Sequence, residues 1–335
     1  MTRIPLHPPL ITPVSPEIYR PLWSVMIPVY NSATFLKEAL QSVLAQDPGE
    51  DVMQIQVVDD CSTDADIRQI VEDMGRGRVE YFRQSQNMGS VRNFETCLNH
   101  SRGKLVHLLH ADDKVKPGFY TKLASLLDRF PQAGAAFCNY EYIDSEGKVL
   151  YYNTIESRED RLFNDHLFSM AERCHVQYVS IAVKREVYEK TGGFFGVIYG
   201  EDWEMWARIA KDYSFAYTPE TLAEYRIHDT NISTASFKTG QNIRDISKVI
   251  DQIGTYLPAR VRKNITRKAR RHYARYLLST SEFIWHVSRD KKTVLAQVSG
   301  ALKMYKDAFM LMKAAKVYAK VWLHPLRKLI GNVKD

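Results

Sequence analysis

The sequence is poor in the features that would sort it quickly. It has four cysteines in 335 residues, Cys61, Cys97, Cys138 and Cys174, and none sits in a CxxC pair. A thiolate zinc site is therefore not indicated, nor is a disulfide framework, and a reducing cytoplasmic setting is expected. No stretch approaches the roughly 18 uninterrupted apolar residues of a membrane span. The first residues lack the charged-then-apolar order of a secretory signal, so export is not expected. Both GxGxxG and GxxxxGK[ST] are missing, which leaves a dinucleotide fold of the usual kind and a P-loop without support. With 45% hydrophobic and 25% charged residues the composition is that of a globular protein, long enough for one large domain and a smaller appendage.

What is present is unevenly spread. Residues 1–22 hold six of the thirteen prolines and read as an extended leader, wrapped on the domain or loose. The net charge of +7 hides a split: residues 241–335 carry 21 Lys+Arg against 6 Asp+Glu, while the rest carries 25 against 33. A basic tail behind an acidic body suggests an anionic surface as partner for the tail. No nucleic-acid recognition motif accompanies the charge, and none is expected to be bound.

Strand and helix signals alternate through the first 113 residues. The apolar stretch from Trp23 reads as a central strand that should end near Pro28, which cannot donate to a ladder. A helix follows from Ser32, a candidate N-cap, to Ala45, with Phe35, Leu36, Ala39, Leu40, Val43 and Leu44 at helical spacing to cover a sheet. Gln54–Val58 and Val79–Arg83 read as strands, Ala65–Met74 and Val91–Ser101 as helices, with Ser62 or Asp64 as candidate cap of the former. The run Leu105–Leu109 then closes on His110-Ala111-Asp112-Asp113. Such short buried strands, exiting into polar residues, predict a parallel sheet with helices on both faces and ligands beyond the strands' carboxyl ends. Asp112-Asp113 alone is compatible with an exposed turn, but paired carboxylates also make hard ligands for Mg²⁺ or Mn²⁺. Further on, Pro117–Phe130 and Arg185–Thr191 read as helices, and Ala133–Tyr140 and Tyr178–Lys184 as strands. The turn Asp144-Ser145-Glu146-Gly147 suggests a hairpin, and residues 150–175 read either as a loop-rich acceptor wall or as ordinary packing. Trp203, Trp206, Ala207 and Ala210 share one face of a helix opened by Glu201-Asp202, where acids also suit the helix dipole. After 241 the chain is helical and basic. Leu295, Val298, Leu302, Tyr305, Phe309 and Met312 fall on one stripe, with Lys306, Lys313 and Lys320 beside it, then Trp322, Leu326, Leu329 and Ile330. The tail either packs on the domain or lies as an amphipathic element on an anionic leaflet.

Taken together, Val25-Met26-Ile27-Pro28-Val29-Tyr30-Asn31, Val57-Val58-Asp59-Asp60-Cys61-Ser62-Thr63-Asp64, Asn87-Met88-Gly89 with Asn93, Arg102-Gly103-Lys104 and Ala111-Asp112-Asp113 followed by Pro117 resemble glycosyltransferase family 2 in order and spacing, over about residues 23–235. The resemblance implies a GT-A fold, a Rossmann-like mixed α/β sheet with helices on both faces. It implies a leader (1–22), a catalytic domain (23–235, its nucleotide half 23–113 and acceptor half 114–235) and a basic helical extension (241–335). It also implies an inverting, metal-assisted transferase that moves a sugar from a nucleoside diphosphate, with UDP favoured, to a hydroxyl of a glycan or lipid-linked glycan. Donor binding would fall to Pro28, Val29, Tyr30, Asn31, Asp59, Asp60, Asn87, Arg92 and Asp112, with Asp60 on the base and Asp112 at the ribose. Asp113 would ligate Mn²⁺ or Mg²⁺, with His228 a second ligand or a contact to the diphosphate. Asp202 would be the general base, with Glu201 and Arg226 in support. Many relatives carry Asp where this chain has His110, whose role the resemblance leaves open. The expected setting is cytoplasmic, or peripheral on the inner face of the membrane. The rivals are a nucleotidyltransferase, which would need a Gly-rich triphosphate loop that is missing, and a non-catalytic sugar-nucleotide adaptor.

Overall fold

The computed structural model describes residues 2–229 and 231–331, with side chains described as far as Leu323. Thr230 and the side chains of Leu326, Leu329 and Ile330 lie outside the described residues. The chain forms two compact units. One runs through Met170 and resumes over Cys174–His228; the other comprises Ala171–Arg173 and the chain from Asp229 on.

The first unit opens with β1 (Trp23–Val29), α1 (Ala33–Leu44), β2 (Met53–Asp59), α2 (Ile67–Gly75), β3 (Glu80–Arg83), α3 (Ser90–His100) and β4 (Leu105–Leu108). It continues with β5 (Lys114–Val115), α4 (Phe119–Arg129), β6 (Ala133–Ile143), β7 (Val149–Tyr152), β8 (Arg161–Phe163), α5 (His166–Glu172), β9 (Ile181–Lys184), α6 (Arg185–Thr191), α7 (Glu201–Asp212) and β10 (Ser214–Arg226). The sheet order is β3-β2-β1-β4-β9-β6-β10-β5, with β7 beside β6 and β8 beside β10. From β3 to β4 every pairing is parallel, whereas β9 runs antiparallel to both β4 and β6. The chain steps outward twice, from β1 to β2 to β3, and then returns past β1 to form β4. Right-handed crossovers therefore put α1 and α2 on one face and α3 on the other. The reversal leaves a crevice between the carboxyl ends of β1 and β4, where ligands of such sheets collect.

β1 ends at Val29, one residue past Pro28, as expected. Met26 O accepts from Leu109 N–H on the β4 side, so the Pro28 nitrogen, two residues on, faces the same side. The pairing with β4 stops at Met26 opposite Leu108, and the missing donor costs no ladder bond. The cap of α1 differs from expectation. Ser32 makes no side-chain cap; Asp64 Oδ2, in the loop after β2, accepts the Ala33 N–H at 3.0 Å. Asp66, not Ser62 or Asp64, caps α2. Tyr178–Ser180 is a single 3₁₀ turn before β9, shorter than the strand expected there. The leader is not loose. Pro5 O and Pro9 O accept from Gly196 N–H and Gly193 N–H, and Ile11 is buried.

The core lies between the sheet and its helices. Leu36, Ala39, Leu40 and Val43 of α1 share this core with the strand residues Val25, Ile27, Ile55 and Val57, while Phe119, Leu123 and Leu126 of α4 lie over β6 and β10, beside Ala133, Ala136, Ala216 and Ala223. Burying each large aliphatic side chain contributes about 1.5–3 kcal/mol. Trp203 and Trp206 anchor α7 as its largest fully buried side chains.

The second unit holds α8 (Ile232–Thr239), α9 (Gln241–Tyr256), α10 (Ala259–Ser288), α11 (Lys291–Met304) and α12 (Ala308–Gly331). The apolar stripe expected through Met312 is interrupted: Asp307 caps a fresh helix by accepting the Met310 N–H, and Phe309 and Met312 are exposed.

Gly103 is pressed against the first strand. A Cβ there would lie 2.5 Å from Ser24 N and Trp23 C, and its own N–H donates to Ser24 Oγ. Gly103→Ala is expected to cost about 1–3 kcal/mol by overpacking, read as a lower denaturation midpoint with an unchanged m-value. An unchanged midpoint would show that the contact is slack.

Candidate active site

The carboxyl end of β4 turns sharply: Asp113 N–H donates to His110 O, which presents His110, Asp112 and Asp113 together. One ligand atom from each lies within 4.8 Å of the others. Arg226, at the end of β10, fixes this turn. Its backbone N–H donates to Asp113 Oδ1 at 2.8 Å and its Nε to Asp112 O at 2.8 Å. Its Nη1 donates to Asp144 O and Ser145 O, in the turn between β6 and β7, and its Nη2 pairs with Glu38 of α1. The guanidinium lies 4.8 Å over the Phe35 ring. The His228 ring packs on the same Phe35 at 4.7 Å and sets Nε2 3.0 Å from Asp112 Oδ2.

Burial drives the electrostatics. It pushes the Asp113 carboxyl well above the usual carboxylate range, and the neighbouring Asp112 charge adds to the effect. Burial acts on Asp112 in the same direction, but the hydrogen bond with His228 and the charges of His110 and His228 outweigh it and hold Asp112 low. His110 is sandwiched between Phe94, stacked at 5.2 Å, and Tyr178 at 4.3 Å, and burial lowers its pKa. Its Nε2 is buried without a hydrogen-bond partner. A divalent cation suits this set: an orphaned imidazole nitrogen and two carboxylates within one ligand's reach of each other. The fold thus brings His110 beside Asp112 and Asp113 and places His228 against Asp112.

Tyr178 connects this cluster to the second acidic motif. Its ring contacts His110, and its hydroxyl donates to Glu201 Oε1 at 3.3 Å. Asp202 follows in the first turn of α7, half-buried, with Oδ1 accepting the Trp203 N–H at 2.7 Å and Cys174 Sγ 3.9 Å from Oδ2. Burial outweighs the helix terminus and raises the Asp202 carboxyl to about 6.

The acids after β2 do other things. Asp59 is fully buried and accepts from Ser62 N–H, Tyr81 Oη and Arg83 Nη1, the last at 2.6 Å. Asp60 takes the Met88 and Gly89 N–H groups at 2.6 and 2.8 Å, a grip that the positive φ of Gly89 allows. Asn87 Nδ2 reaches Asp60 O, and Arg3 of the leader pairs with Asn87 Oδ1. Asn31, in a left-handed conformation, accepts the Thr63 N–H. Tyr30 is exposed at the mouth, whereas Pro28 and Val29 are buried. Arg92 is committed elsewhere, to Glu95 and Thr2 O, and lines a shallow cleft with Gln84 and Met88 that no member of the acidic cluster joins. Tyr178, Glu38 and Arg3 carry no motif and were not singled out as site residues by sequence, and Phe35, expected to cover the sheet, instead packs against Arg226 and His228.

The family described as Glycosyl transferase family 2 matches residues 24–192. The chain is 27% identical over 261 residues to the putative teichuronic acid biosynthesis glycosyltransferase TuaG of Bacillus subtilis, covering 75% of this chain and 98% of that one. It is 25% identical over 327 residues to an uncharacterized glycosyltransferase of Nostoc, covering 90% and 97%. Among solved structures, S. aureus TarS 1-349 in complex with UDP-GlcNAc superposes with a TM-score of 0.63 at 14% identity, covering 89% of this chain and 90% of that one. The mannosyltransferase PcManGT of Pyrobaculum calidifontis, in complex with GDP-Man and Mn²⁺, gives 0.55 at 18% identity, covering 97% and 86%. The half-parallel sheet, its acidic switch point and these likenesses lead to one conclusion: the chain belongs to glycosyl transferase family 2 and has the GT-A fold.

Proposed function

We propose that the protein is an inverting glycosyltransferase that moves a sugar from a nucleoside diphosphate, UDP favoured, to a hydroxyl of a glycan or lipid-linked glycan. The observation that carries this reading is the contact chain from the His110, Asp112 and Asp113 cluster through Tyr178 to the Glu201-Asp202 pair. On this reading a cation-and-phosphate end and a proton-accepting end share one crevice. The similarity to TuaG, of teichuronic acid biosynthesis, and to structures in complex with UDP-GlcNAc and GDP-Man supports a sugar nucleotide as donor and an envelope polysaccharide as product class.

His110, Asp112 and Asp113 would hold Mn²⁺ or Mg²⁺, which when bound supplies Lewis-acid stabilisation to the negative charge developing on the departing diphosphate. Asp60 and Asn87, with the mouth residues Tyr30 and Asn31, line the side on which the base would lie, and Asp112 the ribose side. Asp202 is the base. The acceptor oxygen attacks the anomeric carbon as the bond from that carbon to the diphosphate oxygen breaks. The hydroxyl proton passes to Asp202, and the anomeric configuration inverts. A carboxyl lifted to about 6 is ionised at neutral pH and still basic enough to take a proton. Glu201, tied to Tyr178, and Arg226, tied to the acidic turn, hold the two ends in place. A nucleotidyltransferase would release pyrophosphate from a nucleoside triphosphate instead, so product analysis separates the two readings.

Asp202→Asn is expected to leave nucleoside-diphosphate affinity within about twofold and to lower turnover by 10² or more, read by calorimetry and by release of nucleoside diphosphate. Near-normal turnover would remove Asp202 from the role of base. Asp113→Asn should instead abolish both Mn²⁺ binding, followed by electron paramagnetic resonance of the free ion, and transfer. Because the base must be deprotonated, wild-type kcat should be half-maximal near pH 6, level off about a unit above it and fall towards tenfold per unit below about pH 5. A profile flat to pH 4.5 would contradict the assignment.

A further inference from the structure

Helix α12 is apolar on two faces. Met310, Ala314, Val317 and Val321, at spacings of four, three and four, form a buried stripe. The other side carries Leu311, Met312, Trp322 and Leu323, each 45–60% exposed. At 100° per residue these four span an arc of about 120° that the buried stripe does not reach. Lys313, Lys316 and Lys320 run along one border of that arc. In α10, Phe283 and Val287, 67% and 65% exposed, lie one turn apart on a single stripe. Glu282, beside that stripe, pairs with Lys313 and Lys320 across the α10–α12 seam, so the two exposed apolar strips flank one ion-paired junction.

The same unit is strongly basic. Residues 241–335 carry 21 Lys+Arg against 6 Asp+Glu. Several of the acids are already engaged: Asp251 by Arg270, Glu282 at the seam, and Asp290 and Asp307 as helix caps. Single exposed apolar residues are ordinary. A cluster of large ones within a field of positive charge is not, because its natural covering must be apolar inside and anionic outside. No helix among the described residues is long and apolar enough to cross a bilayer. We propose that the α10–α12 face of the second unit lies on an anionic lipid surface, with Phe283, Val287, Leu311, Met312, Trp322 and Leu323 entering the acyl boundary and the lysines reaching back to the headgroups. A second copy of the chain is a poorer fit, since it would set one basic face against another. The proposal stands apart from the assignment of the acidic site and does not depend on it.

The test is flotation of the full chain with vesicles of phosphatidylcholine alone or with about a third phosphatidylglycerol, at ~0.1 M and ~1 M salt. The protein should float with the anionic vesicles at low salt at least tenfold more than with the neutral ones, and high salt should release most of it. Leu311→Ser with Met312→Ser and Leu323→Ser should cut flotation at least tenfold, and Lys306→Glu with Lys316→Glu several-fold. Both variants should keep the wild-type circular dichroism spectrum and, because all five side chains are exposed, a wild-type melting temperature. Equal flotation with the two vesicle types would overturn the proposal. So would flotation indifferent to both variants, or sedimentation as a dimer that the triple serine variant dissociates while vesicle binding is absent throughout.

Discussion

The first unit depends on one buried cation. Arg226 reaches the acidic turn after β4 twice, through its backbone to Asp113 and through its side chain to the Asp112 carbonyl. It also ties in the β6–β7 turn and Glu38 of α1. A guanidinium with five fixed donors suits this task; an ammonium would not span the same acceptors. Removing it would leave the Asp113 carboxylate buried beside Asp112 with less to offset their repulsion. The link makes β10, formed more than a hundred residues after the turn, a structural part of the acidic turn's support.

Acids that look alike in the sequence divide into distinct physical roles. Asp59 is consumed by the fold, with Ser62, Tyr81 and Arg83 all upon it. Asp60 clamps the backbone at Met88 and Gly89 and so shapes the loop before α3. Asp112 and Asp113 sit close enough to share a cation with His110. Asp202 is lifted by burial toward neutrality, and its neighbour Glu201 is tied down by Tyr178. Burial and hydrogen-bond partners, not residue type, separate these roles.

The first 113 residues were largely legible because their signals are local. Short apolar strands that exit into Asp59-Asp60 and Asp112-Asp113 give both the sheet and its acidic edge. What could not be read is long-range pairing. Nothing in Ser32-Ala33 says that Asp64 will cap α1, and nothing near Tyr178 says that it will bridge His110 and Glu201. The apolar period through Leu295 and Met312 was continuous in sequence, yet Asp307 starts a new helix and turns Phe309 and Met312 outward. His110, a departure from the family pattern, shows its fit to the cluster only once Phe94 and Tyr178 are seen to bury it and leave Nε2 without a partner.

The central claim is that two acidic ends, brought from opposite halves of one unit, face a single reacting sugar. A crystal structure of the full chain with UDP and Mn²⁺ tests it most directly. The ion is expected among His110, Asp112 and Asp113, the diphosphate beside it, and the Asp202 carboxylate facing the space beyond the β-phosphate where a sugar would sit. A nucleotide bound away from the Asp112-Asp113 turn, or an Asp202 carboxylate closed off from that space, would contradict it.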